Sequence, residues 1–195
     1  MMGWNRQAVA GGLVSGSGQH HDATRVAMAS SRVRATRRKL LVNLVFRGIP
    51  TSHAMHLRAG GADANGQGAL VRKAEGLANP CRHCLQLIEP GHEKLVVAYR
   101  PFERAQPYAE TGPIFLHAEE CQRYESRVPP EWFAYLTPAI IRGYGADDWI
   151  RYETGAVVAG VDLASAARDI LANPDVAYVH IRSKYNCFQC RVERA

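Results

Sequence analysis

Long apolar runs are missing from this chain of 195 residues. Nothing in it approaches the roughly 20 consecutive apolar residues that span a bilayer. The apolar stretch Leu40 to Phe46 is too short and too far from the terminus for a signal peptide. No membrane partner is therefore expected, and the cytoplasm is the expected compartment. Also missing are a phosphate-binding loop, a nucleophile elbow, a dinucleotide fingerprint and a His-Glu-x-x-His helix, so no reaction is assigned and whether the protein is an enzyme stays open. There is no internal repeat, which excludes a solenoid, and no regular strand-helix alternation, which excludes a parallel α/β sheet.

Acidic residues are nearly absent from residues 1 to 40. There Asp22 stands alone against Arg6, Arg25, Arg32, Arg34, Arg37, Arg38 and Lys39, a net charge of +6 that equals the net charge of the whole chain. The remainder balances at seventeen basic and seventeen acidic residues. Nucleic-acid binding is thus not expected of the folded part, because the excess positive charge lies in one segment. That segment, with Gly11-Gly12 and Ser15 to Gly18 and no apolar period, reads as a disordered basic extension. Met28-Ala29-Ser30 offers the alternative of a mis-called start. Residues 41 to 195 are expected to form a single domain.

Within that domain, Leu41 to Arg47 reads as a strand stopped by Gly48 and Pro50, and Gly60 to Gly68 reads as loop. Lys94 to Tyr99 and Pro113 to Leu116 are further strands, joined by the polar-aromatic connection Arg100 to Gly112. Ala139 to Arg142 and Trp149 to Tyr152 flank a turn. Asp162 is placed to cap a helix over Leu163 to Ala172, whose apolar residues share one face. Val176 to Arg182 alternates, with Val179 and Ile181 on one face and Tyr178, His180 and Arg182 on a face expected to meet solvent. Phe188 to Glu193 closes a hairpin with it. The fold class is α+β, a mainly antiparallel sheet with one or two packed helices.

Five cysteines, an odd number, cannot all pair, and their close spacing favours metal binding over disulfides in a reducing compartment. Cys81 and Cys84 form a Cys-x-x-Cys pair, and His117 and Cys121 follow 33 residues on. Two closely spaced pairs separated by a hairpin's length of chain match a tetrahedral structural zinc site. Glu119 and Glu120 suit the first turn of a helix, so the expected unit is a knuckle, a hairpin and a helix, resembling a treble-clef finger with a closed Cys3His site. Between the two cysteines, His83 is expected to be exposed. Cys187 and Cys190 form a second Cys-x-x-Cys on the last strand, where positions three apart face opposite sides; they read as packing thiols, with a redox pair or metal ligation as alternatives. In the connection, Arg100 and Arg104 with Tyr108 and Glu110 could hold an anionic or polar ligand, or form a rigid connection. His180 could be a general base, though a solvent-facing strand histidine is the plainer reading.

The runs Asn79-Pro80-Cys81-Arg82-His83-Cys84-Leu85, Pro107 to Phe115, Arg142-Gly143-Tyr144, Tyr178 to Arg182 and Cys187-Phe188 resemble a bacterial family known as domain of unknown function 1203, from about Phe46 to the C-terminus. The resemblance implies no activity. The expectation is a zinc-stabilised binding or interaction domain for a small-molecule or protein partner. The alternative is a thiol- or metal-dependent enzyme using Cys187, Cys190 or an open zinc position.

Overall fold

The computed structural model describes residues 42–195. The basic segment 1–40, expected to be disordered or to precede the true start, lies outside the described residues. The chain runs β1 (Leu44–Arg47), α1 (Thr51–Arg58), β2 (Leu70–Lys73), β3 (Glu93–Tyr99), β4 (Gly112–His117), β5 (Glu125–Ser126), β6 (Ala139–Tyr144), β7 (Ile150–Val158), α2 (Leu163–Leu171), β8 (Tyr178–Ser183) and β9 (Phe188–Arg194). Short 3-10 turns lie at Glu131–Tyr135 and Gly160–Asp162. Every strand pair in the two sheets is antiparallel, one sheet ordered β5-β1-β9-β8-β6-β7 and the other β2-β3-β4. The fold is α+β, as expected.

Strand β8 lies in the interior of the larger sheet, between β6 and β9, with Ile181 opposite Ile141 and Cys190. On one face, Val179 and Ile181 pack with Phe46, Ile141 and Val192 against Leu163, Ala167 and Leu171 of α2. Those three helix residues recur every four positions, so one stripe of α2 meets the sheet. Asp162 precedes α2, but its side chain makes no capping bond; the 3-10 turn leads the chain into the helix instead.

The other face of β8 is not solvent-facing. Tyr178, His180 and Arg182 are all buried, because the connection from β3 to β4 lies over them. Phe102 of that connection packs edge-on to Tyr144 and His180, with ring centroids 5.3 and 5.1 Å apart, and Tyr144 stacks on Tyr178 with an interplanar angle of 12°. A polar alternation therefore marks a second buried face here rather than an exposed one.

The smaller sheet sends Leu95, Val97, Ile114 and Leu116 into a second core with Ile49, Ala54, Leu57, Cys81 and Ile88. Helix α1, which contributes Ala54 and Leu57, was not anticipated. It begins directly after Pro50, whose fixed φ suits a helix entry, but two buried residues in eight give little amphipathic signal. Strand β2 was missed for the same reason, all four of its residues being exposed. At the corner between β1 and α1, a Cβ on Gly48 would lie 2.0 Å from the His83 carbonyl oxygen. Only glycine lets this corner close on the segment that carries Cys81 and Cys84.

Candidate metal centre

The sequence Pro80 to Leu85 forms a tight knuckle. Leu85 N–H donates to Cys81 O at 2.9 Å and Cys81 N–H to Gln86 O at 2.9 Å, and Leu85 takes φ +53° to close the turn. Arg82 N–H donates to Phe115 O at 2.9 Å, which docks the knuckle onto β4. His117, the last residue of β4, is thereby carried to Cys81, and its backbone N–H points at Cys81 Sγ at 3.4 Å. The ligand atoms of Cys81, Cys84, His117 and Cys121 all lie within 4.8 Å of one another. This cluster could hold a metal ion.

The helix expected to open at Glu119 does not form. Residues 118–124 are irregular and lead into β5, so Cys121 enters the cluster from an extended segment. The reason is tertiary. Tyr124 N–H donates to His83 O at 2.9 Å and Gly48 N–H to Tyr124 O at 3.0 Å, so the chain after Cys121 is paired to the knuckle and β1. A helix would withdraw those groups. The unit is thus a knuckle and a hairpin without the closing helix of a treble clef.

Two residues that sequence reasoning did not place at the cluster belong to it. His83 is buried, not exposed: its Nδ1 is 3.2 Å from Cys121 Sγ and its Nε2 is 3.1 Å from Thr51 Oγ1. Were Cys121 a metal-bound thiolate, it would have no proton to give, and Nδ1–H would be the donor while Nε2 accepted from the Thr51 hydroxyl. Burial lowers the pKa of this ring below its usual value, which favours the neutral form. Arg58 at the end of α1 donates Nη2–H to Cys121 Sγ at 3.1 Å and Nε–H to His117 O at 3.1 Å. Its charge would offset the excess of three thiolates over a divalent cation held there. His83 carried a signal, since it lies inside the knuckle; Arg58 carried none while α1 went unrecognised.

The three thiols compete for ionisation. Cys81 is held far below the ordinary thiol range by hydrogen bonds from Cys121 and Cys84. Cys84 is pushed up by its hydrogen bond with Cys121, then by its bond with Cys81 and by burial; Cys121 is pushed up by its bond with Cys81, against a lowering bond from Cys84, with burial adding to the rise. Three thiolates cannot coexist in this space without a cation, and a bound metal removes that frustration.

Cys187 and Cys190 lie outside the cluster, and all five cysteines are free of disulfides. Cys190 is fully buried beside Val192 in the core against α2, and burial raises its thiol well above the usual range. Cys187 is half-buried in the hairpin between β8 and β9.

The four residues of the β3–β4 connection do not converge. Arg104 is exposed and Arg100 turns its Nε–H toward Phe102 O at 3.4 Å. Tyr108 meets Tyr152, the hydroxyls 3.2 Å apart. Glu110 faces inward: Oε1 accepts from Arg142 Nη1 at 2.7 Å and from Asn186 Nδ2 at 3.2 Å, and Oε2 is 2.9 Å from Arg182 Nη2. Burial alone would raise this carboxyl, but the Arg142 bond, the Arg182 charge and the Asn186 bond hold it below its usual value. Glu110 thus ties the connection to the sheet. His180 is buried among Phe102, Tyr144, Tyr178 and Phe188 with no hydrogen-bond partner on either ring nitrogen. Burial first, then the charges of Arg182, Arg191 and Arg142, hold its pKa far below 6.5.

The chain belongs to the family described as Protein of unknown function (DUF1203), whose model matches residues 78–194. That span opens three residues before Cys81 and takes in all four members of the cluster, with Glu110 and His180. Comparison with curated proteins and with solved structures gave no match.

Proposed function

We propose that Cys81, Cys84, His117 and Cys121 bind one structural zinc ion, and that the domain braced by it is a binding module for a small-molecule or protein partner. The observation that carries the zinc reading is the spacing of the ligand atoms. Zinc–sulfur bonds of about 2.3 Å and zinc–nitrogen bonds of about 2.0 Å at tetrahedral angles give edges of about 3.8 Å between two sulfurs and about 3.5 Å between sulfur and nitrogen. Cys81 Sγ and Cys121 Sγ are 3.9 Å apart, and Cys84 Sγ and His117 Nδ1 are 3.4 Å apart.

Four protein ligands fill a tetrahedron and leave no position for a catalytic water. A bound zinc would instead fasten the knuckle to β4 and to the segment before β5, three stretches of chain otherwise joined by a few backbone bonds. Thiolate-rich sites suit zinc among the common divalent ions, and free thiols suit the cytoplasm. The enzyme alternative gains no support from Cys190, whose burial opposes ionisation.

Metal content by mass spectrometry, with melting curves, tests this on the wild type and on Cys84→Ser and Cys187→Ser. The expected result is one zinc per chain in the wild type and in Cys187→Ser, with loss of zinc and a lowered melting temperature in Cys84→Ser. Wild-type protein purified without chelator and carrying no metal would overturn the zinc reading.

A further inference from the structure

Beside the knuckle, on the side away from the four ligands, an open groove of about 900 Å³ runs between the knuckle, β4, the 3-10 turn at Glu131–Tyr135 and the β8–β9 hairpin. Its volume lies in the range of small-molecule sites, about 300–1,000 Å³. The walls are apolar and aromatic, with Leu87, Phe115, Trp132, Tyr135 and Leu136 among them. Trp132 turns its indole N–H away to Leu85 O at 2.7 Å, so the ring presents carbon to the groove's neighbourhood.

The charges along this groove are one-sided. Arg82 and Lys184 line it, and no aspartate or glutamate does. Arg82 is 4 % exposed. Its Nε–H donates to Phe188 O at 2.5 Å and its Nη1–H to Pro80 O, and among the described residues no carboxylate pairs with it. This guanidinium is bonded only to carbonyl oxygens, with the sulfurs of Cys187, Cys81 and Cys190 as nearby sources of negative charge, and it has no carboxylate partner; desolvation is fully offset only when such a charge is paired. Gln189 and Ser183 also line this wall, but Gln189 Oε1 and Ser183 Oγ are themselves closed off from solvent, so Arg82 is the polar group that the groove offers a ligand.

We propose that this groove binds a small organic carboxylate, its aromatic or aliphatic body against the apolar wall and its carboxylate on Arg82. Lys184 adds charge at the rim. A carboxylate fits the planar fork of arginine better than a neutral group does. The proposal deepens the binding-module reading by naming its ligand class, and it does not depend on which metal fills the cluster.

The test is titration of the full chain with 2-naphthoate and with its neutral counterpart 2-naphthalenemethanol. Wild type should bind the naphthoate at least about tenfold tighter, the difference of one charge-assisted hydrogen-bond pair on a guanidinium that is itself buried. Arg82→Gln should abolish that preference. Because Arg82 also holds the knuckle to β9 and its loss could unfold the chain, Leu77→Glu provides a second variant. Leu77 lines the groove and is 79 % exposed, so the added carboxylate should leave the fold intact, weaken naphthoate several-fold and spare the alcohol. Equal affinity of wild type for the two compounds, no naphthoate binding at about 1 mM, or a preference untouched by Leu77→Glu would overturn the proposal. Metal content of the same samples keeps the readings apart: zinc-loaded protein indifferent to naphthoate sinks the ligand class alone, and metal-free wild type that prefers naphthoate sinks the zinc alone.

Discussion

Replacing Glu110 by glutamine keeps the shape of the side chain and removes one charge from a three-way pairing. In the wild type that carboxylate meets Arg142 at 2.7 Å and Arg182 at 2.9 Å. The Arg182 side chain is 3 % exposed, so without Glu110 its guanidinium stays buried, unpaired and near a second cation. Stranding one partner of a buried pair costs about 3–5 kcal/mol. Glu110 itself is 32 % exposed, and water returning at its position recovers part of this, which leaves about 2–3 kcal/mol. For a domain of this size each kcal/mol is worth about 2–4 °C, so the melting temperature should fall by about 5–10 °C. Urea denaturation as a function of pH supplies the sharper check. The folded-state pKa of Glu110 lies below its unfolded value, so its stabilisation is complete above the unfolded value of about 4.3 and is lost as pH falls through the folded value. The gap between wild type and Glu110→Gln should therefore be full at about pH 7 and close in acid, where glutamic acid and glutamine are both neutral. A deficit under about 0.5 kcal/mol at neutral pH, or one that persists unchanged in acid, would refute the pairing as a stabilising element.

Gly48→Ala places a methyl group 2.0 Å from His83 O, so the β1–α1 corner must move off the knuckle; a loss of about 1–3 kcal/mol and faster zinc release to a chelator are expected, read from melting curves and a colorimetric zinc dye. His180→Phe replaces a fully buried ring with two unbonded nitrogens by one with none. Stability should hold or rise by about 1 kcal/mol in urea, and a comparable loss would reveal a partner for the imidazole. Arg58→Met removes the donor to Cys121 Sγ and the cation beside the thiolates; zinc affinity measured by chelator competition should fall about tenfold or more, as for other groups that orient metal ligands, while the same assay on Arg104→Met, an exposed residue, should show no change.

The Cys81, Cys84, His117 and Cys121 cluster was legible because its signal is local: residue type and spacing within a knuckle and at a strand end do not depend on the rest of the fold. So were β3, β4, β9 and α2, whose apolar periods match the faces they bury, and the Val179 and Ile181 face of β8. The errors share one cause, the influence of distant chain on a short segment. Glu119 and Glu120 suit a helix start, yet Tyr124 bonds to His83 O and holds the segment extended. Tyr178, His180 and Arg182 alternate like an exposed face, yet Phe102 and Glu110, some 70 residues earlier, cover and pair them. The partners of Glu110 were not foreseen either: they are Arg142 and Arg182, on strands far along the chain. Arg82 went unnoticed altogether, since nothing in its sequence neighbourhood distinguishes a buried guanidinium from a solvated one.

Successive residues of the knuckle serve different parts of the domain. Cys81 and Cys84 face the other two ligands, His83 reaches Thr51 at the start of α1, and Arg82 crosses to Phe188 O and the groove. The backbone turn that sets the two thiols therefore also sets the guanidinium. Without metal, the turn keeps only weak thiol hydrogen bonds in place of coordination bonds, and Arg82, bound only to carbonyl oxygens, has little else to hold it. Chelation should consequently weaken 2-naphthoate binding more than 2-naphthalenemethanol binding in protein that remains folded by circular dichroism, and zinc should restore the difference. By linkage, saturating naphthoate should slow zinc extraction while the alcohol leaves it unchanged. Identical naphthoate affinity in loaded and stripped protein would show that β9 and Pro80 position Arg82 unaided, and that the metal braces only the hairpin.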